Sequence, residues 1–361
     1  MRIAYLSGAR IPSRGANTVH VMHMCQAIAR QGHDVTLHAQ PGDLPAKDAF
    51  AFYGVERCFR IVKPARPAVR VLGAVVHAWR TRTAVLDGPP PDIIYARDFW
   101  ALSLLSHDGI PFVFESHWSP MTQVHKAVET SFLRHKHFRR IVFISNALRE
   151  VYSQRFPWFD LNKSIVAHDA ADPVPLGTAK PSVPNDRLQV GYVGSFWPGY
   201  GLDMVERLAI RLPEADFHLV GGDPHQVAER QDRPQVPSNL IYHGFLPPAE
   251  LPTAYASFDV LLAPYQPDTP HIRWISPMKL FEYMSHGKAI VCSDFPVMRE
   301  ILQHGENGLL VRPDKEDAWL DGLLQLRDRA TRVRLGAAAR AKLELEFTWD
   351  IRARRILDGV T

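Results

Sequence analysis

The 361-residue sequence predicts an α/β fold of two facing Rossmann-like domains with an interdomain cleft. Three observations point to it. Short apolar runs alternate with amphipathic segments along the chain, the pattern of a parallel, doubly wound sheet. The alternation breaks around 168–186, where "HDAADPVPLGTAKPSVPND" carries four prolines, one glycine and no periodicity, and then restarts. That break reads as an interdomain linker. The length also exceeds what one hydrophobic core comfortably fills, so two domains are the default.

Taken in order, "RIAYLS" is a buried strand. Val21, Met24, Cys25 and Ile28 follow at i, i+3, i+4, i+7 on a helix closed by Gly32, and "HDVTLHA" is the next strand. "PDIIYAR", "PFVFESH" and "RIVFISN" continue the sheet of a first domain, residues 1–170. The second, residues 171–345, opens with "LQVGYVGSF", a helix near 203–212, "DFHLVGG", "NLIYHGF", a helix near 249–257 and "DVLLAPY". It continues through "SPMKLFEYMSHGKAIVCSD" (276–294), where Ser276 can cap a helix, Pro277 suits its first position, and Gly287 can stop it before the strand "KAIVCSD". Ligands of such sheets bind beyond the carboxyl ends of the strands.

Lys279 is the anomaly in that helix. It falls in the first turn, where the dipole is positive and a carboxylate would be favourable. Ser276, Lys279 and Glu282 stand at i, i+3, i+6 on one stripe, leaving Leu280, Phe281 and Met284 for the core. Free N–H groups with an added ammonium make a strong anion site, behind which Glu282 could accept sugar hydroxyls. An exposed Lys–Glu pair worth a few tenths of a kcal/mol accounts for the spacing equally well.

Composition excludes several classes. With 46% hydrophobic and 22% charged residues the chain is globular. No apolar run approaches the roughly 18 residues of a membrane span, and "MRIAYLSGAR" enters a strand with no room for a signal peptide. Cys25, Cys58 and Cys292 form no pattern, so a reducing cytoplasm is expected. There is no H-E-x-x-H or D-x-D, and His20 with His23 on one helical face is a weak metal signal, so no metal is expected. No G-x-G-x-x-G follows the first strand, which argues against a nicotinamide enzyme. The net charge of +4 conceals an asymmetry: residues 1–170 carry 21 Lys/Arg against 13 Asp/Glu, residues 171–361 carry 21 against 25. The basic excess lies in "RPAVRVLGAVVHAWRTR" (66–82) and "FLRHKHFRR" (132–140). The former could be an amphipathic helix on an anionic membrane face or a solvated helix beside a groove. No nucleic-acid motif accompanies it.

The run "SPMKLFEYMSHGKAIVCSDFPVMREIL", followed by "NGLLV", resembles the donor-binding segment of GT-B glycosyltransferases of family 4. "GANTVHVMHMCQAIARQGHDVTL", "FESHWSP", "ISNALRE", "AHDAADP", "GYVGSFWPGYG", "NLIYHGFLPPAELPTAYASFDVLLAPY" and "FTWDIRARRIL" resemble that family's other segments in the same order. The last is similar to a final helix, here about 346–361, that crosses back onto the first domain. The resemblance implies a cytoplasmic, retaining glycosyltransferase, needing no metal or other cofactor, that moves a sugar from a nucleotide-sugar donor to a glycan, lipid-linked or small-molecule acceptor in polysaccharide or glycoconjugate synthesis. It implies a diphosphate on Ser276, Pro277, Met278 and Lys279, a ribose on Glu282, and a nucleobase pocket lined by Gly221, Gly222 and Phe245. His117 would meet the sugar or acceptor.

Two departures stand out. Eight residues before Glu282, where the family has the first glutamate of E-x7-E, this chain has Trp274. The first donor-domain loop lacks the Arg and Lys common there and offers Ser195 and Tyr200. Arg273, Ser195 and the backbone N–H groups of Gly15, Ala16 and Asn17 are therefore expected to complete the phosphate site with Lys279. Arg134 and Arg139 would serve an anionic acceptor at the inner membrane face. A nucleotide-sugar epimerase or hydrolase, and a nucleotide-sugar-binding protein that has lost catalysis, are the rival readings.

Overall fold

The computed structural model describes residues 1–44, 48–66, 70–120, 122–175 and 187–360, with the side chains of 70–72 left aside. Residues 67–69 of the basic stretch and 176–186 of the linker expected from the sequence lie outside the described residues. The chain divides into two compact units, Met1–His168 with Trp349–Thr361, and Asp169–Thr348.

The first unit runs β1 (Arg2–Ile11), α1 (Ala16–Arg30), β2 (Asp34–Pro41), α2 (Ala49–Tyr53), β3 (Arg60–Val62), α3 (Arg70–Leu86), β4 (Ile93–Ala96), α4 (Phe99–Leu105), β5 (Phe112–Ser116), α5 (Gln123–Leu133), β6 (Phe138–Phe143), α6 (Asn146–Arg155) and β7 (Ser164–Val166). Its parallel sheet has the order β3-β2-β1-β4-β5-β6-β7. β1 pairs with β2 on one side and β4 on the other, so the winding reverses there. Val21, Met24, Cys25 and Ile28 are fully buried, as their spacing predicts. Gly32 ends α1 at φ +85°, a left-handed position that suits glycine.

The second unit runs β8 (Leu188–Val193), α7 (Leu202–Arg211), β9 (Ala215–Val220), α8 (Pro224–Gln231), β10 (Leu240–Gly244), α9 (Leu251–Ala256), β11 (Val260–Ala263), α10 (Met278–Ser285), β12 (Ala289–Ser293), β13 (Leu309–Val311), α11 (Glu316–Gln325) and α12 (Arg329–Glu346). Its sheet, also parallel, has the order β10-β9-β8-β11-β12-β13, reversing between β8 and β11. The chain then returns to the first unit as α13 (Trp349–Leu357), where Trp349 packs edge-on to His20 at 5.0 Å and stacks on His23 at 5.9 Å.

α10 corrects one expectation. Ser276 does not cap it: Pro277 occupies the N-cap position, and the helix begins at Met278. The Ser276 hydroxyl instead accepts the Asp169 N–H at 2.8 Å, because that buried amide at the start of the unit needs an acceptor. Leu280, Phe281 and Met284 are fully buried, and the Gly287 N–H closes the last turn on the Met284 carbonyl at 3.0 Å. Arg340 on α12 donates to the Ser285 carbonyl at 2.8 Å, a cationic cap of the helix end. Beside it, a Cβ at Gly336 would lie 2.0 Å from the Gly287 carbonyl oxygen, so backbone packs directly on backbone.

Among the described residues no helix is long and apolar enough to cross a membrane. Gly336→Val must push α12 off the Gly287 turn. A cost of about 2 kcal/mol or more is expected, read as a fall of about 4–8 °C in the unfolding midpoint for a unit of this size.

Candidate active site

The winding reversal of the second sheet brings three segments together: the loop after β8, the segment after β11, and the start of α10. Tyr283 fastens them. Its hydroxyl accepts the Val193 N–H at 3.1 Å and lies 3.2 Å from the Leu262 carbonyl, tying α10 to β8 and β11 from within the core.

Lys279 points into this junction. Its side chain is 8% exposed, and the ammonium makes no hydrogen bond. Nζ lies over the Tyr192 ring at 4.0 Å, with the Tyr265 and Tyr200 centroids at 5.1 and 5.6 Å. A Cβ at Gly194 would stand 2.6 Å from Nζ, so the ammonium rests against the backbone of the β8–α7 loop. Burial pushes Lys279 down from its ordinary 10.5 to about 7, with Glu282 and Cys292 opposing. Burial likewise raises the Glu282 carboxyl; the Tyr255 hydroxyl, donating at 2.8 Å, and Lys279 pull the other way. Each of the two groups is desolvated, and Glu282 takes the Tyr255 hydroxyl while Lys279 hydrogen-bonds to nothing.

The other donor-side candidates sit around this point to different degrees. Ser195 is exposed on the loop, its carbonyl held by the Tyr192 hydroxyl at 2.7 Å. Gly222 (φ +73°) packs its α-carbon on Phe196 of the same loop, and a Cβ at Gly221 would stand 1.9 Å from the Gly194 carbonyl oxygen. Phe245 is half-buried just beyond β10, and Pro277 and Met278 are buried at the helix start. Ser276 is buried with its hydroxyl engaged by Asp169, and Arg273 is exposed. Trp274, half-buried, leans on His271 at 5.5 Å.

Gly15, Ala16, Asn17, His117, Arg134 and Arg139 belong to the first unit. Gly15 occupies the N-cap of α1 with Ala16 and Asn17 exposed. Thr18, whose N–H reaches the Gly15 carbonyl at 3.0 Å, is pinned by the Tyr53 hydroxyl at 2.9 Å. Arg134 lies over the Trp158 ring at 4.3 Å, and Arg139 donates to the Lys136 carbonyl at 3.3 Å. Arg140, in the same basic run, donates to the Arg355 and Ile356 carbonyls of α13, which is a structural task.

His117 sits one residue past β5 and is held by a residue the sequence reading passed over. Glu115, fully buried, accepts from His117 Nε2 at 2.7 Å and from Tyr95, and stands 3.0 Å from Arg352, 3.2 Å from His20 and 3.4 Å from Arg97. Burial alone would raise its pKa, but Arg352, His20 and Arg97 override it and hold the carboxyl well below the usual range. Burial and Arg97 push His117 down to about 4 against the pull of Glu115, so the imidazole is neutral. The available signal was a carboxylate inside the apolar strand "PFVFES", which demands cationic partners. His20, Glu115 and His117 bring ligand atoms within 4.8 Å of one another, the one group among the described residues with metal-site geometry. Its carboxylate is already matched by Arg97 and Arg352, so an added cation would stand against two guanidinium groups.

Arg352→Met removes one of the two guanidinium groups matched to the buried Glu115 charge, and the loss is expected to reach at most about 3–5 kcal/mol. Urea unfolding checks it. Adding Glu115→Gln should recover part of the loss, as a double-mutant cycle of a coupled pair requires.

Comparison with known proteins agrees with this geometry. Residues 18–173 match the sequence profile of Glycosyltransferase Family 4, and residues 187–329 that of Glycosyl transferases group 1. A GDP-mannose-dependent alpha-mannosyltransferase of Mycolicibacterium smegmatis is 24% identical across 97% of this chain and 94% of its own. A sulfoquinovosyl transferase of Arabidopsis thaliana is 29% identical over 44% of this chain, and a putative teichuronic acid biosynthesis glycosyltransferase of Bacillus subtilis is 29% identical over 30%. Those two matches span only 30% and 27% of the relatives' own lengths. Among solved structures, the Anabaena protein HepE in complex with UDP and glucose superposes with a TM-score of 0.76 at 16% identity, covering 100% of this chain and 99% of its own. With two Rossmann-like units, and with one profile on each, the chain belongs to the family 4 glycosyltransferases of GT-B fold.

Proposed function

We propose that the protein is a retaining, metal-independent transferase that moves a sugar from a nucleoside-diphosphate donor to an acceptor hydroxyl. The observation that carries this reading is Lys279: a buried ammonium without a hydrogen-bond partner, in the first turn of α10, against the loop after β8. Such a group lacks only an anion. In the transfer, the bond between the anomeric carbon and the diphosphate oxygen breaks and the acceptor oxygen bonds to that carbon on the same face. The acceptor proton passes to the leaving diphosphate. Charge accumulates on that diphosphate, and Lys279, the α10 N–H groups and Ser195 oppose it, which lowers the barrier. The charge comes from the chain itself, which is why no metal is invoked. Glu282, fixed by Tyr255, would accept the ribose hydroxyls.

Relatives suggest where to begin with the donor: one is named as GDP-mannose-dependent, another was solved with UDP and glucose. The acceptor is assigned to the first unit, with the neutral His117 contacting sugar or acceptor and exposed Arg134 and Arg139 attracting phosphate or acidic sugars. Peripheral contact with an anionic membrane would use α3, where Trp79 and Val75 are exposed beside Arg80.

Thermal unfolding against UDP, GDP, ADP, CMP and dTDP, with and without EDTA, tests the reading. One nucleotide is expected to raise the midpoint regardless of EDTA, adding roughly 2.7 kcal/mol at about 100 times its dissociation constant. Lys279→Ala should abolish most of that shift. Affinity should fall as pH rises through about 7, because the lysine is a cation below that value and neutral above it. A shift that requires metal overturns metal independence. No shift from any nucleotide would overturn the donor-site reading; a shift without sugar transfer would favour the binder that has lost catalysis.

A further inference from the structure

An ammonium removed from water normally has a carboxylate beside it. Lys279 has three aromatic rings instead, and they come from three separate segments. Tyr192 is on β8, Tyr200 on the loop into α7, and Tyr265 just beyond β11. The Tyr192 ring is fixed through its hydroxyl, which donates to the Ser195 carbonyl at 2.7 Å. The main chain that carries the other two is held: the Tyr200 N–H donates to the Trp197 carbonyl at 3.1 Å, and the Tyr265 carbonyl accepts the Ser293 hydroxyl at 2.6 Å. The Tyr200 and Tyr265 rings lean together at 5.3 Å. The nearest acid on α10, Glu282, is engaged by Tyr255 and does not reach the ammonium as a salt bridge.

We propose that Tyr192, Tyr200 and Tyr265 are positioning residues that hold Lys279 as a dry, uncommitted cation against the Gly194–Ser195 backbone, ready for the donor diphosphate. The inference rests on the donor-site reading above and adds how the site does without a guanidinium on its loop. The negative face of an aromatic ring offsets a cation's lost hydration. A carboxylate in the same place would do so more strongly, but it would neutralise Lys279 and repel the incoming diphosphate. Rings compensate the charge without competing for it. They also exclude the water that an exposed lysine would have to shed on binding, so the ammonium meets the ligand at low dielectric. The Tyr200 ring, 5.6 Å from Nζ, completes the third side of the cage.

The test compares ring with hydroxyl. Tyr200→Phe and Tyr265→Phe keep the aromatic face; Tyr200→Leu and Tyr265→Leu keep bulk but lose it. Calorimetric titration of the full-length variants with UDP and with GDP reads the affinity, and the ligand-free unfolding midpoint reports folding. Both Phe variants are expected to bind within about twofold of the native protein, and both Leu variants about tenfold more weakly, the loss of one desolvated cation–π contact. Leu variants that bind like the native protein overturn the cage. Phe variants as weak as Leu also overturn it, by making the hydroxyls direct ligand groups. Tyr200 is only partly buried, so Tyr200→Leu carries the test if Tyr265→Leu fails to fold. A native protein that binds neither UDP nor GDP, nor any other nucleotide tried, defeats the donor-site reading itself, which the variants then do not bear on.

Discussion

The second unit is organised around one desolvated positive charge. Taking an ammonium out of water costs several kcal/mol unless something returns the interaction, and the surroundings of Lys279 are shaped by that requirement. Three tyrosines cover it, Gly194 leaves room for it, and Tyr283 locks the helix that carries it to the two central strands. Burial pushes the lysine down to about 7, against the pull of Glu282 and Cys292. A cation held in place without a hydrogen-bond partner is preorganised for an anion, and on the donor-site proposal that anion is the leaving diphosphate.

The first unit handles the opposite charge in the opposite manner. Glu115, equally buried, is surrounded by Arg97, Arg352, His20, His117 and Tyr95 and is held firmly ionised. Because Arg352 comes from α13, this network also binds the returning end of the chain to the sheet it rejoins, and Gln31 adds a bond to the Asp350 carbonyl at 2.9 Å. One carboxylate therefore does structural work and orients His117 at once. Its satisfaction contrasts with Lys279: a committed charge stabilises the fold, and on the donor-site proposal an uncommitted one receives ligand.

Much of this was legible in the sequence because it is local. Val21, Met24, Cys25 and Ile28 declare a helix face by spacing, and Gly287 declares a helix end by its conformational freedom. Lys279 was conspicuous because it contradicts the helix dipole. The rest depends on residues far apart in the chain. Nothing about Tyr192, Tyr200 and Tyr265 taken singly says they share a cation, since the sheet order that joins β8 to β11 creates their proximity. Ser276 had the right side chain for a cap, but a buried amide 107 residues away claimed it. Glu115 was visible as an oddity in an apolar strand, while its partners, on α1, α13 and the segment after β4, were not.

The protonation of Lys279 is the most direct measure of the whole account. Its side-chain titration can be followed by NMR in the free protein and again with a saturating nucleoside diphosphate. A desolvated Lys279 that pairs with the diphosphate has a midpoint near 7 when free, well below the ordinary 10.5, and a large upward displacement when the diphosphate is bound. A lysine that titrates near 10.5 in the free protein and does not respond to nucleotide would mean that the charge is neither desolvated nor the diphosphate's partner.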